Sequence, residues 1–381
     1  MSHPREHHPG RRGGFHPPCC PNPECPNHAP GSRGRFPRWG FYRRRSDGRR
    51  FQKFRCSHCQ HEFSTRAFSA TYWLRRRDLL RPIATLSPEG PALRQIARIL
   101  KISHSTVARH VARAGRQCQL FHLQLLAQAL LREPLVIDGF ETFEFSQYFP
   151  FHLNLAVGQD SWFIYHFTDS PLRRKGRMTP AQLRRRAQLE AMLGRPDPQA
   201  VERGVAALLA ELLPRVPRDM TLELHSDDHP AYPRALRRAQ RATGGGQRVC
   251  HRVTSATVRR TQRNPLFPVN LADLLLRHSS ANHRRETIAF SKRRQAALER
   301  AAIFTVWRNC IKPRRENEPG PTAAMAAGLL PRALSWREVL ARRRFPGRVG
   351  LPPSWVEYYW GRVKTLAYGD RQRVHALKWA F

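Results

Sequence analysis

The feature that most constrains this chain is Leu135-Val136-Ile137-Asp138-Gly139-Phe140-Glu141-Thr142-Phe143-Glu144-Phe145, an apolar run that delivers a carboxylate and then alternates. Apolar residues at this density predict a strand, with Asp138 near the middle of a sheet. A carboxylate in that position needs a partner, or else it caps a turn through Gly139. A second strand-like run, Leu222-Glu223-Leu224-His225-Ser226-Asp227-Asp228-His229, also ends in acid. Two strand-borne carboxylates point to a divalent metal site, because hard cations take oxygen ligands.

With 381 residues the chain is long enough for two or three domains. Lys and Arg total 67 against 28 Asp and Glu, a formal net charge of +39 spread along the whole length. So much charge of one sign favours a polyanionic partner, and nucleic acid is the expected one. No apolar run approaches the roughly 20 residues that span a bilayer, and the N-terminus lacks an apolar core, so the expected location is cytoplasmic, with the nucleoid, and away from membranes.

Eight cysteines are present, and five fall between Cys19 and Cys59. Cys20-Pro-Asn-Pro-Glu-Cys25 and Cys56-Ser-His-Cys59, separated by 30 residues, offer four thiolates for one tetrahedral zinc. Cys19, His28 and His61 compete for places in the first pair. Between the pairs, residues 31–55 carry ten Lys or Arg, among them Arg43, Arg44 and Arg45, interleaved with Phe36, Trp39, Phe41, Tyr42, Phe51 and Phe54. Basic and aromatic residues together suit a nucleic-acid surface.

Residues 92–111 have the rhythm of a helix-turn-helix. Leu93, Ile96, Ala97 and Leu100 share one helical face, Ser103 caps a second helix, and Val107 and Val111 continue the buried stripe. His104, Ser105, Arg109 and His110 are then expected to face a major groove. A further amphipathic helix is expected after Gln117, ending before Pro134. Phe151–Gly158 and Trp162–Phe167 predict two more strands, and residues 171–215 a helical stretch that leads into the strand ending at Asp227. Three strands, a helical region and a strand ending in acid is the order of an RNase H-like sheet, whose first and fourth strands carry acids side by side.

Taken with Asn264-Pro-Leu-Phe-Pro-Val-Asn270 and Arg285-Glu286-Thr287-Ile288-Ala289-Phe290-Ser291-Lys292, these motifs resemble bacterial insertion-sequence transposases of the DDE/DDD type over about residues 19–312. The resemblance implies a ribbon and helix-turn-helix that bind element ends, and an RNase H-like domain whose three acids hold two Mg²⁺ or Mn²⁺ ions, working as a homo-oligomer on double-stranded DNA. It makes Asp138 the first acid and, through Ser-Asp-x-His-x-Ala-Tyr, Asp227 the second, with Asp228 where the family commonly has Gly. The third is a Glu in relatives; here the candidates are Asp273, four residues before Arg277, and Glu286. Arg173, Arg174 and Lys175 are expected to grip phosphates. The implied reaction is Mg-dependent strand cleavage followed by strand transfer; the alternative is a zinc-dependent regulator or domesticated transposase with a decayed site.

The expected organisation is a disordered basic tail over 1–18, a zinc ribbon over 19–70, an all-α helix-turn-helix over 71–132, an α/β RNase H-like mixed sheet flanked by helices over 133–312, and a helical, aromatic appendage over 313–381.

Overall fold

The structure, a computed structural model, describes residues 14–255, 257–316 and 320–371. The chain divides into two compact units, Met1–Leu74 with Ala341–Gly350, and Arg75–Leu340 with Leu351–Phe381. The division departs from the expected one. Residues 71–132 do not stand apart from the sheet, and the C-terminal stretch is shared out between the two units.

The smaller unit is a three-stranded antiparallel sheet of β1 (Arg38–Arg43), β2 (Arg50–Arg55) and β3 (Glu62–Ser64). Its core is Phe54, Phe63, Phe68 and the buried cysteines, completed by Phe345. Most of the expected tail, residues 1–13, lies outside the described residues, but Phe15 is ordered against the rings of Phe54 and Phe68, at 6.0 and 5.6 Å between centroids.

The larger unit holds a five-stranded mixed sheet. Its strands are β4 (Leu135–Phe143), β5 (Pro150–Gly158), β6 (Ile164–Pro171), β7 (Thr221–Ser226) and β8 (Arg248–Val253), in the order β6-β5-β4-β7-β8. The first three form an antiparallel meander, whereas β7 and β8 run parallel to β4. Residues such as Val136, Ile137, Leu155, Val157, Leu222 and Leu224 are buried on both faces, as a helix-covered sheet requires. The edge strand β8 was not anticipated, since its sequence Arg-Val-Cys-His-Arg-Val dilutes an apolar strand with charge.

The alternation after Asp138 runs opposite to expectation: Thr142 and Glu144 are buried while Phe145 is exposed. The reason is pairing. Glu144 accepts the Arg294 N–H at 2.7 Å and the Thr365 hydroxyl, and Thr142 hydrogen-bonds His283 at 3.1 Å. Gly139 lies inside β4 rather than in a turn, and a Cβ there would stand 2.5 Å from His152 Nδ1.

Ahead of the sheet lie α1 (Leu80–Leu86), α2 (Leu93–Ile99) and α3 (His104–Leu126). Ser103 caps α3 by accepting the Thr106 N–H at 3.2 Å. Instead of two helices with a break near Gln117, α3 is a single 23-residue helix. It packs against a later helix, Arg294–Val306, so closely that a Cβ on Gly115 would come within 2.7 Å of the Glu299 carbonyl. Because the obstacle is backbone, Gly115→Val should overpack this crossing and destabilise the fold by about 1–3 kcal/mol. A melting temperature unchanged from wild type would show that the two helices are not in this contact.

The expected appendage is structural. Trp355 is fully buried, stacks on His166 with centroids 4.7 Å apart and donates its indole N–H to Phe167 O at 2.8 Å. Tyr358 takes the Asp169 N–H at 2.8 Å and gives its own hydroxyl proton to the same residue's carboxylate. Residues 372–381 lie outside the described part.

Candidate functional site

In the smaller unit the sulfur atoms of Cys20, Cys25, Cys56 and Cys59 all lie within 4.8 Å of one another. Cys20 and Cys59 are 3.6 Å apart and Cys25 and Cys56 3.8 Å, close to the edge of about 3.8 Å that a tetrahedron of zinc–sulfur bonds of about 2.3 Å requires. The four cysteines therefore form a cluster compatible with a structural zinc ion. Cys19 is buried but outside it, and His28 is committed to Cys20 O through Nδ1 at 2.7 Å. Burial alone would raise the Cys56 thiol, but the N–H groups of Cys59 and His58 and the Asn27 amide outweigh it and lower Cys56 to about 6, whereas burial raises Cys20 and Cys25.

The carboxylate site is built by strand register. Leu135 pairs with Leu224 across the parallel β4–β7 ladder, and Asp138 and Asp227 each follow three residues further on, so Asp138, inside β4, and Asp227, just past the end of β7, stand at the same level of the sheet. The Asp138 Oδ1 accepts the Gly139 N–H at 2.7 Å and the Tyr232 hydroxyl at 3.4 Å. The Asp227 Oδ1 accepts the His229 N–H at 3.0 Å, and Asp228 beside it is exposed. Tyr232 sits on the helix Ala231–Ala242 that follows β7 directly.

Asp273 comes from the helix Phe267–Ser279 that follows β8. Part of the residue reaches the surface, but its Oδ1 is sealed from solvent and has no hydrogen-bond partner. Arg277, four residues on, forms no ion pair with it. Arg277 instead donates to the carbonyls of His283 at 3.2 Å and Glu141 at 3.1 Å and covers the Phe140 ring. Burial pushes the Asp273 carboxyl well above the usual range, and the charge of Asp138 adds to the shift. Burial likewise raises Asp138, with Asp227 contributing. Glu286 is exposed on a loop, and the acid whose charge reaches Asp273 is Asp138, not Glu286.

No protein-family model matches this chain, and no curated protein matches it. The case for function rests on the site itself.

Asp138 and Asp227 line a cleft with Ser255, Val258, Arg260, Asn264, Leu266 and Asn270. Arg260 is exposed and near enough for its charge to act on both Asp138 and Asp273. Sequence reasoning missed Arg260, Asn270 and Tyr232, because it searched this region for acids alone. The raised carboxyls of Asp138 and Asp273, the neighbouring Asp227 and the orphaned Asp273 oxygen offer hard oxygen donors, so the side chains present fit a divalent cation. The cysteines remain, among the described residues, the one group of three or more metal-ligating side chains drawn within 4.8 Å; the three acids are more widely set.

A pH dependence follows. An acid raised by folding contributes stability that is fully present below the unfolded carboxylate value and is lost as pH rises through the folded one. Asp273→Asn should therefore raise the melting temperature of ion-free protein near neutral pH by roughly 2–4 °C and have no effect below about pH 4. An unchanged or lowered melting temperature at neutral pH would contradict the burial of an uncompensated carboxyl.

The expected nucleic-acid contacts divide. His104, Ser105 and Arg109 are exposed on the first turns of α3. His110 is not, and that expectation is corrected: it is buried, with Nδ1 on Thr106 O at 2.8 Å and Nε2 on Arg76 O at 2.7 Å. Its place three residues after Val107 puts it on the inner face. Arg43 and Arg45 are exposed, whereas Arg44 is paired with Asp47, its Nε 2.6 Å from the carboxylate. Arg173 is held by Glu190 at 2.7 and 3.0 Å and Arg174 lies over Tyr148, which leaves Lys175 the exposed cation whose charge reaches His152 and His229 beside Asp227. No helix among the described residues is long and apolar enough to cross a membrane.

Proposed function

We propose that this protein is a DNA transposase of an insertion sequence, which binds element ends and carries out metal-dependent strand cleavage and strand transfer. The observation that carries the reading is the pair Asp138 and Asp227, set abreast on adjacent parallel strands with the orphaned Asp273 close to Asp138. The strand order, a three-stranded meander extended by two parallel strands, supports an RNase H-like catalytic domain.

Mg²⁺ or Mn²⁺, when bound, would stabilise negative charge on the attacking and leaving oxygens of a phosphodiester. Asp138 and Asp227 would hold it, with Asp273 as the third acid. Tyr232 orients Asp138 through its hydroxyl, and the His229 N–H fixes Asp227. The His229 Nδ1 accepts the Ala231 N–H at 3.2 Å, so Nε2 carries the proton and is the ring's donor. Arg260 and Lys175 supply positive charge for the DNA backbone. In this reading water attacks first and leaves a 3′-hydroxyl, which then attacks target DNA at the same carboxylates, without a covalent protein intermediate.

End binding falls to α2 and α3, read as a helix-turn-helix presenting His104, Ser105 and Arg109, and to the zinc-shaped hairpin presenting Arg43 and Arg45. Two ends must be brought together, which favours a homo-oligomer on DNA within the nucleoid. A second reading, a zinc-dependent DNA-binding protein without catalysis, draws on the sealed Oδ1 of Asp273 and the wide setting of the three acids.

The two readings separate on a supercoiled plasmid carrying this gene with its flanking DNA. A transposase gives nicked and joined products with Mg²⁺ and none with chelator. Tight end binding with no product under either condition would establish the regulator.

A further inference from the structure

Two asparagines line the cleft with Asp138 and Asp227, and they differ in what their carboxamides do. Asn264 is spent on the loop that carries it: its Oδ1 accepts the Leu266 N–H at 2.8 Å and its Nδ2 donates to Arg259 O at 3.0 Å. Asn270 lies one turn into the helix Phe267–Ser279, where its backbone N–H joins Leu266 O at 3.0 Å. Its side chain makes no hydrogen bond among the described residues, although it lines the same cleft as two carboxylates. Asp273, three residues later on the same helix, is not among the residues that line the cleft, and its Oδ1 is sealed from solvent.

We infer that Asn270, through its carboxamide oxygen, is the third protein donor to the divalent cation held by Asp138 and Asp227, in place of Asp273. The inference rests on the metal-site reading above and replaces its third ligand. Amide carbonyl oxygens are ordinary ligands of hard cations, so the exchange of carboxylate for carboxamide keeps the donor atom and removes one charge. Two carboxylates and one amide offset less of the cation's charge than three carboxylates would. The loaded cleft is then more positive, and holds a phosphodiester more strongly at the expense of cation affinity.

The test is Mn²⁺ binding to the full-length, zinc-loaded protein without DNA, followed by calorimetry and by the paramagnetic resonance of the free ion, so that no catalytic turnover is needed. Asn270→Ala should weaken Mn²⁺ binding by about tenfold or more, and the nearly isosteric Asn270→Asp should tighten it. Asp273→Asn should cost less than Asn270→Ala. Wild-type affinity in Asn270→Ala with retained circular dichroism, or a larger loss in Asp273→Asn, would overturn the assignment of Asn270 while leaving the two-aspartate site standing. Should Asn270→Ala fail to fold, Asn270→Leu decides, because it is nearly isosteric and carries no oxygen donor: wild-type Mn²⁺ affinity in that variant overturns the assignment. Unchanged Mn²⁺ affinity in Asp138→Asn is the distinct result that removes the metal-site reading, and this inference with it.

Discussion

Asp138→Asn or Asp227→Asn is expected to lower DNA strand cleavage and strand transfer by roughly 10³-fold or more while end binding stays close to wild type. Each substitution keeps the shape of the side chain and removes the charge that would hold a cation on β4 or just past β7. Neither adds or removes much from a surface that carries a net +39, so the salt-dependent attraction to DNA is preserved. The contacts these carboxylates accept, from the Gly139 N–H and the His229 N–H, can pass to an amide oxygen, so the fold should hold. Melting temperature and end affinity measured beside cleavage make the result specific: cleavage lost with both retained supports the site. Full activity in either variant would remove that aspartate from it.

The second large effect belongs to the cysteines. Replacing Cys56 and Cys59 together by Ser removes two of four ligands, and zinc in such small modules supplies about 10–16 kcal/mol of apparent binding free energy that is also folding free energy. The smaller unit has little else to rely on, since its core is a handful of aromatic rings, Phe54, Phe63, Phe68 and Phe345, wrapped around the thiols. The double variant should lose zinc, lose the near-ultraviolet signal of those aromatics and bind DNA ends weakly at fixed salt. Mn²⁺ binding at Asp138 and Asp227 should be unaffected. Purified wild-type protein without zinc under reducing conditions, or a double variant that binds ends normally, would show that the cysteines are not a DNA-binding zinc module.

Much of this architecture was legible in the sequence where local pattern and global need coincide. The strands bearing Asp138 and Asp227 are written as apolar runs because both faces of the sheet are covered. Ser103 had to cap α3 because the buried stripe of Val107 and Val111 starts just beyond it. The cysteine spacings left Cys19 and Cys20 as rivals, and only the three-dimensional positions of the thiols single out Cys20.

Other features were hidden for identifiable reasons. Strand β8 is an edge strand whose apolar residues are diluted by Arg248, His251 and Arg252, so its pattern is no stronger than that of a loop. The burial of Glu144 depends on Arg294 and Thr365, far away in sequence, and no local rule announces such a partner. Arg44 and Arg173 looked free for phosphate because Asp47 and Glu190 are visible as partners only once the chain is folded. The C-terminal aromatics read as an appendage because nothing in their own neighbourhood reveals that Trp355 completes the packing of β6. His110 was within reach: three residues from Val107 is the inner face of a helix. Asn270 escaped for a different reason, since a search for a third acid passes over a neutral oxygen donor.

Asp138 and Asp227 are proposed to form one divalent-ion site that cuts DNA. Its most direct test is single-turnover cleavage of a labelled element end bound to the protein before any divalent ion is present. The account predicts no product until Mg²⁺ is added, then a single-strand cut at the element boundary bearing a 3′-hydroxyl, and none from Asp138→Asn at equal occupancy. Cleavage without a divalent ion, or equal cleavage by Asp138→Asn, would contradict it.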